Sequence, residues 1–336
     1  MAAVAPDLPL PSQVHVVALP MARRFRGIDV REAVLVDGPA GWGEFSPFEG
    51  YDDAESSRWL AACLEAAYLG PPRPLRERVE VNATVPAVPA ADVAAVLARF
   101  PGCRTAKVKV AERGQVLADD LDRVAAVRDV LGPGGRVRVD ANGGWDAAQA
   151  LDALRGIARV LGPGLDYAEQ PVAGLEDMVR LRTSLAAAGL EVPLAADELL
   201  RRAEDPLAVA LAGAADVVVV KVAPLGGVRR LLEVAEELRE RYAVGLTVSS
   251  ALDTSVGLSD GVAAAAALPG PVRAAGLGTA ALLAADVTAD PLLPVGGHVR
   301  VGPVVAEPDL LARWAAPPER QRWWRDRLRR CHALLG

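Results

Sequence analysis

The sequence predicts a closed parallel β/α barrel with a smaller α+β domain assembled from both ends of the chain. Three observations support this prediction. From about residue 79, short β-branched runs alternate with stretches of Ala, Leu and Arg at the period of a helix. The polar or small residues that end these runs recur at intervals of 24 to 31 residues. Both chain ends show a different pattern, with a few strands and a helix at the N-terminal end and one short strand and a helix at the C-terminal end. A steady βα repeat over eight strands favours a barrel over an open sheet.

Eight strands are expected along the barrel, and the last seven have a polar or small residue at or next to their ends. They span residues 79–85, 105–110, 136–140, 165–169, 193–197, 217–221, 244–250 and 272–276. Helical signals fill most of the gaps, and the clearest lie at residues 117–131, 146–161 and 228–242. Gly-Pro pairs follow two of these helices, as is typical of helix C-termini.

The remaining segments predict the second domain. Residues 14–75 contain a few strands and then a helix that ends before a Pro-rich break. Beyond residue 280, a short strand at 298–302 precedes a basic, Trp-containing helix. We therefore expect a capping domain around a catalytic barrel, with the N-terminal part of the cap at 1–78, the barrel at 79–279 and the returning C-terminal segment at 280–336.

Composition excludes several classes of function. The formal net charge is -6, whereas nucleic acids and anionic membranes are bound by basic surfaces. The three cysteines are too few and too far apart for a disulfide framework or a zinc cluster, which favours a reducing, cytoplasmic location. No stretch resembles a signal peptide or a membrane span. We therefore expect a small-molecule substrate, while the oligomeric state stays open.

Lysine is rare in this chain. Only three of the 37 basic residues are lysine, and the rest are arginine. An arginine keeps its charge, whereas a lysine can titrate and act as a base. Lys107, Lys109 and Lys221 are therefore candidate catalytic residues. The alternative is that these three lysines persist by chance.

Three carboxylates lie at the ends of three neighbouring predicted strands. Since adjacent strands are about 4.8 Å apart, the side chains of Asp140, Glu169 and Asp197 can converge on one cation. A site made only of carboxylates suits a hard divalent ion, most often Mg²⁺. The alternative is that each acid caps the helix that follows it, which is common for one such residue and less expected of all three.

The lysines flank these carboxylates. Lys107 and Lys109 are two residues apart on one strand, so their side chains face the same side, about 7 Å apart. If that side is the barrel interior, each charge lowers the pKa of the other lysine, and so does partial burial. Lys221 ends the sixth strand, on the other side of the carboxylates. A base, a metal and a second amine in this order suit removal of a proton next to a carboxylate.

The motifs, taken in order, resemble a known family. TAKVKV, VDANGGW, YAEQP, AADE and VVVKVAPLGG resemble the successive signatures of the muconate-lactonising subgroup of the enolase superfamily. FRGIDVREAVLV, GWGEFSPFEGY, SSALDTSVGL and AGLGT narrow the resemblance to the o-succinylbenzoate synthases of menaquinone biosynthesis, particularly their actinobacterial branch. The resemblance extends over nearly the whole chain.

This resemblance implies a modified (β/α)7β TIM-type barrel and a magnesium-dependent lyase. The implied reaction is dehydration of 2-succinyl-6-hydroxy-2,4-cyclohexadiene-1-carboxylate to 2-succinylbenzoate. Lys109 would remove the proton α to the carboxylate and then assist departure of the hydroxyl from the same face. Lys221 would stabilise the enediolate, and Lys107 would tune Lys109. The implied metal ligands are Asp140, Glu169 and Asp197.

Other polar residues at this rim are weaker candidates. Arg138 lies on the same strand as a predicted metal ligand and should also face the interior. A buried arginine needs an anionic partner, either the substrate's succinyl carboxylate or a barrel carboxylate, and we favour the substrate. Asn142 and Glu198 sit beside metal ligands and are expected to support them.

The last strands and the capping domain supply further candidates. Ser249, Ser250 and Gly276 end the last two strands and either contact the substrate or are ordinary turn residues. The capping stretches 25–27 and 45–51 either cover the barrel mouth as lids or pack structurally.

Other activities fit parts of the pattern. N-succinylamino acid racemases and dipeptide epimerases share the two lysines and three carboxylates, so these residues do not separate them from the dehydratases. A Schiff-base aldolase with Lys221 as nucleophile would leave the carboxylates unexplained. A non-catalytic binding barrel is the third alternative.

Overall fold

The computed structural model describes residues 8–11, 13–25, 27–201 and 207–335 of the chain. The strands in this part are β1 His15–Phe25, β2 Ile28–Gly38, β3 Gly41–Phe45, β4 Arg78–Glu80, β5 Ala83–Val85, β6 Thr105–Lys109, β7 Arg136–Asp140, β8 Leu165–Glu169, β9 Leu194–Ala196, β10 Val217–Lys221, β11 Gly245–Ser249 and β12 His298–Arg300. The helices are α1 Asp53–Leu69, α2 Val93–Leu97, α3 Leu117–Leu131, α4 Ala147–Leu161, α5 Leu175–Ala187, α6 Glu198–Arg201, α7 Ala208–Leu211, α8 Val222–Leu225, α9 Val228–Arg241, α10 Ser255–Ala267, α11 Pro308–Arg313 and α12 Pro318–His332.

The strands β5 to β11 form one parallel sheet in sequence order. One further segment joins its two edges, since Gly276 bridges Ser249 at the end of β11 and Ala275 bridges Val81 just before β5. Backbone hydrogen bonds of 2.8 and 2.9 Å accompany these bridges. The sheet is thereby closed into a ring, and the predicted fold class is confirmed. The predicted eighth strand, 272–276, is reduced to this pair of bridges.

The first predicted strand, residues 79–85, is divided in the structure. β4 pairs antiparallel with β12, where Val79 lies opposite Val299, while β5 pairs parallel with β6 inside the barrel. Between them, the N–H of Asn82 donates to the carbonyl of Ala275 at 2.9 Å. The expectation of one continuous strand is therefore corrected. Alternation along a run predicts its buried face but not which partner each half will meet.

The two ends of the chain pack together beside the barrel. β1, β2 and β3 form an antiparallel sheet, and α1 packs against both this sheet and α12. Their shared core contains the buried rings of Phe45, Trp59 and Trp324. The N–H of Ala18 in β1 donates to the carbonyl of Trp314 at 2.8 Å, which ties the C-terminal segment to the sheet. The exact domain boundaries stay a prediction.

Helix α4 shows why the intervening segments form an outer layer of helices. The carboxylate of Asp146 accepts hydrogen bonds from the N–H groups of Ala148 and Gln149 at 2.9 Å, and the Gln149 side chain accepts one from the Asp146 N–H at 3.0 Å. This reciprocal cap satisfies donors that the first turn leaves unpaired. The buried side chains follow the helical period, at Ala150, Ala153, Leu154, Ile157 and Leu161. No helix within the described ranges is long and apolar enough to cross a membrane.

Candidate active site

The predicted charged residues gather at one end of the barrel. Parallel pairing aligns Lys109 with Asp140 and Asp140 with Glu169, because the carboxyl ends of parallel strands meet at the same rim. Asp197 follows directly after β9, and Lys221 is the last residue of β10. These five side chains are buried, so their charges must be balanced by one another or by a bound ion or ligand.

The lysines pair with the carboxylates of neighbouring strands. The Lys107 ammonium donates to Glu169 Oε1 at 2.6 Å and lies 3.0 Å from Asp140 Oδ2. The same Asp140 oxygen accepts a hydrogen bond of 2.6 Å from Lys109. Lys221 donates to Asp197 Oδ1 at 2.7 Å. The row of carboxylates therefore has Lys109 at one end and Lys221 at the other, while Lys107 lies between Asp140 and Glu169.

Asn142 and Glu198, the expected supporting residues, are hydrogen-bonded to each other, and their role beside a metal stays a prediction. Asn142 Oδ1 accepts a hydrogen bond of 2.5 Å from Lys109, and its amide donates to Glu198 Oε1 at 3.0 Å. The backbone N–H of Asn142 donates to Asp140 Oδ1 at 3.1 Å. Its φ of 47° is left-handed, a conformation that Asn tolerates better than most residues. Asn142 therefore links a lysine, a carboxylate and Glu198.

Gln170 is a site residue that the sequence analysis missed. Its buried side-chain oxygen accepts hydrogen bonds from the N–H groups of Asp197 and Leu199, both at 3.2 Å. Its amide donates to the carbonyl of Val172 at 2.8 Å. Gln170 thus ties the end of β8 to the turn that carries Asp197. The available signal was its position directly after Glu169.

Burial and like charge determine the electrostatics of the acidic row. Burial, together with the charge of Asp140, raises the pKa of Glu169 to about 7, against the opposing effect of Lys107. Burial lowers the pKa of Lys107, but Asp140 and Glu169 outweigh this effect and raise it above its ordinary value. The expectation that Lys107 has a depressed pKa is therefore corrected, because its acidic neighbours are closer than the sequence could show.

The residues of the row fit a hard cation. Glu169 Oε2 is buried and has no hydrogen-bond partner, which is costly for a carboxylate oxygen unless a positive charge binds it. The described residues include no group of three carboxylate, imidazole or thiol side chains arranged to hold a metal ion. The Lys107 ammonium lies between Asp140 and Glu169. The space between Asp140 and Glu169 therefore already holds one positive charge, the ammonium of Lys107.

Arg138 has a different partner from the one we favoured. Its side chain is buried and donates to Asp166 Oδ2 at 2.8 Å, to Asn82 Oδ1 at 2.9 Å and to the carbonyl of Ala274 at 2.7 Å. Its guanidinium lies 4.7 Å from the centre of the Tyr167 ring. Asp166 stands near the beginning of β8, so the guanidinium points away from the mouth. This geometry favours the barrel-carboxylate interpretation over contact with the substrate.

The three candidates at the last strands divide into two kinds. Ser249 and Gly276 are neighbours on adjacent strands, and a Cβ on Gly276 would come within 2.4 Å of the Ser249 hydroxyl. A glycine is therefore required for this close approach. Ser249 also lines a small cavity beside Lys221. Ser250, in contrast, donates to the carbonyl of Gly276 at 3.1 Å and lies 2.6 Å from the Thr279 hydroxyl, which favours a turn role.

The two capping stretches are described to different extents. In the stretch 45–51, Phe48 packs edge to face on Tyr51 and Trp59, with ring centres 5.6 and 6.2 Å apart. This favours structural packing of Phe48 itself. In the stretch 25–27, Arg26 lies outside the described residues, so the lid proposed there stays a prediction.

Two family models match the chain. One is described as enolase N-terminal domain-like and matches residues 16–67. The other is described as enolase C-terminal domain-like and matches residues 90–307. The second match alone covers more than half of the chain.

Sequence relatives share about half of their residues with the chain. The o-succinylbenzoate synthase of Mycolicibacterium smegmatis is 54% identical over 324 residues, which is 96% of both chains. The o-succinylbenzoate synthase of Mycobacterium leprae is 52% identical over 323 residues, which is 96% of this chain and 92% of the relative.

Solved structures share the fold. The muconate lactonizing enzyme of Pseudomonas fluorescens, complexed with muconolactone, has a TM-score of 0.76 at 25% identity and covers 92% of this chain and 100% of its own. The N-succinyl Arg/Lys racemase of Bacillus cereus has a TM-score of 0.73 at 20% identity and covers 90% of this chain and 97% of its own. The second likeness concerns the fold alone.

Proposed function

The chain belongs to the o-succinylbenzoate synthase family of the enolase superfamily, and we propose that it dehydrates 2-succinyl-6-hydroxy-2,4-cyclohexadiene-1-carboxylate to 2-succinylbenzoate in menaquinone biosynthesis. Enzymes of this kind are carbon–oxygen lyases. The observation that carries the proposal is the row of buried carboxylates at the barrel mouth, with lysine ammoniums at both of its ends. Such a row suits the enediolate chemistry that this substrate requires.

Lys109 is the proposed base. Asp140 and Asn142 hold its Nζ atom at the rim, at 2.6 and 2.5 Å. In its neutral form, Lys109 takes the proton from the carbon next to the ring carboxylate, and the C–H electron pair moves into that carboxylate. The electrons then return to expel the hydroxyl, which takes a proton from the Lys109 ammonium on the same face. Water leaves, the ring becomes aromatic and Lys109 regains its neutral form.

The other two lysines act through charge. Lys221, held by Asp197 at 2.7 Å, is proposed to stabilise the negative charge of the enediolate from the opposite end of the row. Lys107, which bridges Asp140 and Glu169, is proposed to adjust the charge around Lys109.

Membership of this family implies a divalent metal, and we propose that the metal is Mg²⁺. The oxygen donors of Asp140, Glu169 and Asp197 suit this ion, and the unpartnered Glu169 Oε2 supports the assignment. Asn142 and Glu198 are the proposed outer partners. When bound, the metal would supply Lewis-acid stabilisation of the charge that develops on the substrate carboxylate.

The substrate pocket and the location are also proposed. We propose that the substrate binds near Ser249 and Gly276, at the rim beside Lys221. We also propose that the stretch 45–51 lies beside the barrel mouth. All three cysteines are free thiols, which supports a reducing, cytoplasmic location.

The test is a steady-state comparison of the cyclohexadiene acid with N-succinyl amino acids. We expect loss of the diene absorbance that depends on added Mg²⁺ and stops with EDTA. Faster turnover of an N-succinyl amino acid, with no diene loss, would contradict the proposal. Borohydride trapping of a carbonyl substrate that EDTA does not affect would instead indicate the Schiff-base aldolase.

A racemase is the second candidate because of one observation. Lys109 and Lys221 are both buried and stand at opposite ends of the carboxylate row. A 1,1-proton transfer needs an acid and a base on opposite faces of one carbon, and these two lysines can supply them. Exchange of the α-proton of an N-succinyl amino acid with deuterated solvent would detect this activity beside the dehydration.

A further inference from the structure

Two charged side chains of the capping sheet reach across to the barrel. Arg31 on β2 and Glu44 on β3 are both buried, and both contact the loop between β11 and α10, residues 250–254. This loop follows Ser249, which lines the cavity beside Lys221. The capping sheet thus contacts the wall of the proposed substrate pocket through charged groups.

Arg31 binds the carbonyl groups of this loop. Its Nε donates to the Leu252 carbonyl at 3.0 Å, and its Nη2 donates to the Ala251 carbonyl at 3.3 Å. Leu252 has a φ of 65°, a left-handed conformation that is costly for a residue other than glycine. Such a conformation persists only where the surroundings hold it, and the hydrogen bond from Arg31 does so.

The same guanidinium also binds the stretch 45–51. Its Nη2 donates to the Ser46 hydroxyl at 3.0 Å and to the Ser46 carbonyl. The Cζ atom of the guanidinium lies 4.7 Å from the centre of the Phe48 ring. Arg31 is therefore shared between one segment of the capping domain and one loop of the barrel.

Glu44 anchors the end of the same loop. Its carboxylate accepts hydrogen bonds from the Thr254 hydroxyl at 2.6 Å, the Thr254 N–H at 3.0 Å and the Gly257 N–H at 3.1 Å. It thereby caps the N-terminus of α10 from another domain. The Ser46 hydroxyl donates to Glu44 at 2.6 Å, so Arg31, Ser46 and Glu44 form one buried network.

We propose that Arg31 is a positioning residue that couples the stretch 45–51 to the loop 250–254. By this coupling it fixes the position of the loop in the wall of the substrate pocket. The part of this inference that concerns substrate binding rests on the proposed dehydration. The coupling itself depends only on the contacts of Arg31. Because both segments share one guanidinium, loss of that group should release both at once.

Hydrogen–deuterium exchange of Arg31→Met tests the coupling without any substrate. We expect faster exchange in peptides that cover 45–51 and in peptides that cover 250–258, with no change in α3. Arg327→Met is the matched control, because Arg327 donates to the Phe48 and Tyr51 carbonyls and to the Ser56 hydroxyl, all of them in the N-terminal segment of the capping domain. This control should release 45–51 alone. Faster exchange in only one of the two segments of Arg31→Met would overturn the proposal.

Kinetics separate positioning from general stability. For Arg31→Met we expect KM to rise roughly tenfold or more, with a smaller change in kcat. The reason is that displacement of the loop 250–254 lowers the affinity for the substrate and leaves the lysines of the chemical step in place. Arg76→Met is the control, because Arg76 also binds carbonyl groups, those of Leu268 and Gly270, away from the mouth. It should lower the unfolding temperature and leave KM unchanged. An unchanged KM in Arg31→Met would contradict the positioning role.

Two further measurements keep the proposal open to refutation. If Arg31→Met does not fold, Ser46→Ala removes one contact of the network and should show the same exchange pattern with smaller amplitude. An unaltered pattern in Ser46→Ala would count against the network. If the wild-type protein does not convert the cyclohexadiene acid, the proposed function fails, while the exchange experiment still decides whether Arg31 couples the two segments.

Discussion

The ammonium of Lys107 lies 2.6 Å from Glu169 Oε1 and 3.0 Å from Asp140 Oδ2. This one positive charge therefore sits between two buried carboxylates of adjacent strands. Like a bound cation, the Lys107 ammonium reduces the electrostatic repulsion between Asp140 and Glu169. The relationship makes the stability of the metal-free protein depend on Lys107.

We expect Lys107→Met to destabilise the metal-free protein by about 3–5 kcal/mol, because removal of one partner leaves buried charge unpaired. Added Mg²⁺ should then raise the unfolding temperature of the variant more than that of the wild-type protein. Thermal unfolding in EDTA and in Mg²⁺ measures both effects. Identical unfolding temperatures in EDTA would show that the ion pair has no such role.

Lys109→Arg should slow dehydration strongly although it keeps the positive charge. Arginine does not lose its proton at accessible pH, so it cannot act as a base. A general base contributes about 10²–10⁴-fold to a rate, and we expect a loss of kcat in that range. The assay is loss of the diene absorbance, with Mg²⁺ titration as the control for an intact site. Normal turnover would remove Lys109 from the mechanism.

Asp197→Asn should weaken Mg²⁺ binding by about tenfold or more, since it removes one charged oxygen donor. Asp166→Asn is the matched control, because Asp166 is also a buried barrel carboxylate but pairs with Arg138, away from the mouth. The control should lower stability and leave the metal affinity unchanged. Calorimetric titration measures both variants, and equal affinities for Asp197→Asn and the wild-type protein would refute the ligand assignment.

Arg138→Met tests the corrected role of this arginine. Its loss removes a buried partner of Asp166, which keeps ion pairs with Arg136 and Arg273, so we expect a destabilisation of about 1–3 kcal/mol. KM for the cyclohexadiene acid should stay within about twofold. A large rise in KM at unchanged stability would restore the interpretation that Arg138 binds the substrate.

Glu44→Gln should have a pH-dependent effect on stability. Burial and then the charge of Asp253 raise the pKa of Glu44 to about 7, against hydrogen bonds from Ser46 and Thr254. A raised pKa in the folded state gives stability that is present below the ordinary value near 4.5 and is lost as the pH rises through 7. Gln does not titrate, so its destabilising effect should be larger at pH 5 than at pH 8. Chemical denaturation at both pH values measures this difference, and a larger effect at pH 8 would contradict the assignment.

Much of the barrel rim could be predicted from the chain itself. The βα repeat determines where strands end, and parallel strands end at one rim, so the sequence predicts Asp140, Glu169 and Lys221 at that rim. The scarcity of lysine identified the amines. The role of Gln170 could not be predicted, because its side-chain oxygen accepts a hydrogen bond from the backbone N–H of Asp197. Such a contact leaves no periodic pattern in the sequence.

The direction of a side chain within the barrel could not be predicted in the same way. Alternation along β7 correctly indicates that Arg138 is buried, but it does not say towards which end of the barrel its long side chain extends. Its partners Asp166 and Asn82 lie at the beginnings of strands. The Arg138 side chain therefore extends towards the end of the barrel opposite the mouth. The pKa of Lys107 was misjudged for a related reason, since distances between strands are set by the closed ring.

The sequence by itself determined the fold class, the order of the strands and the chemical types of the residues at the mouth, because these depend on local periodicity and composition. Only the tertiary structure decided how the capping sheet meets the barrel. Arg31 binds Leu252 across 221 positions of the chain, and Glu44 binds Thr254 across 210. Contacts of this range depend on how two separately built layers pack, and no pattern within either segment encodes them.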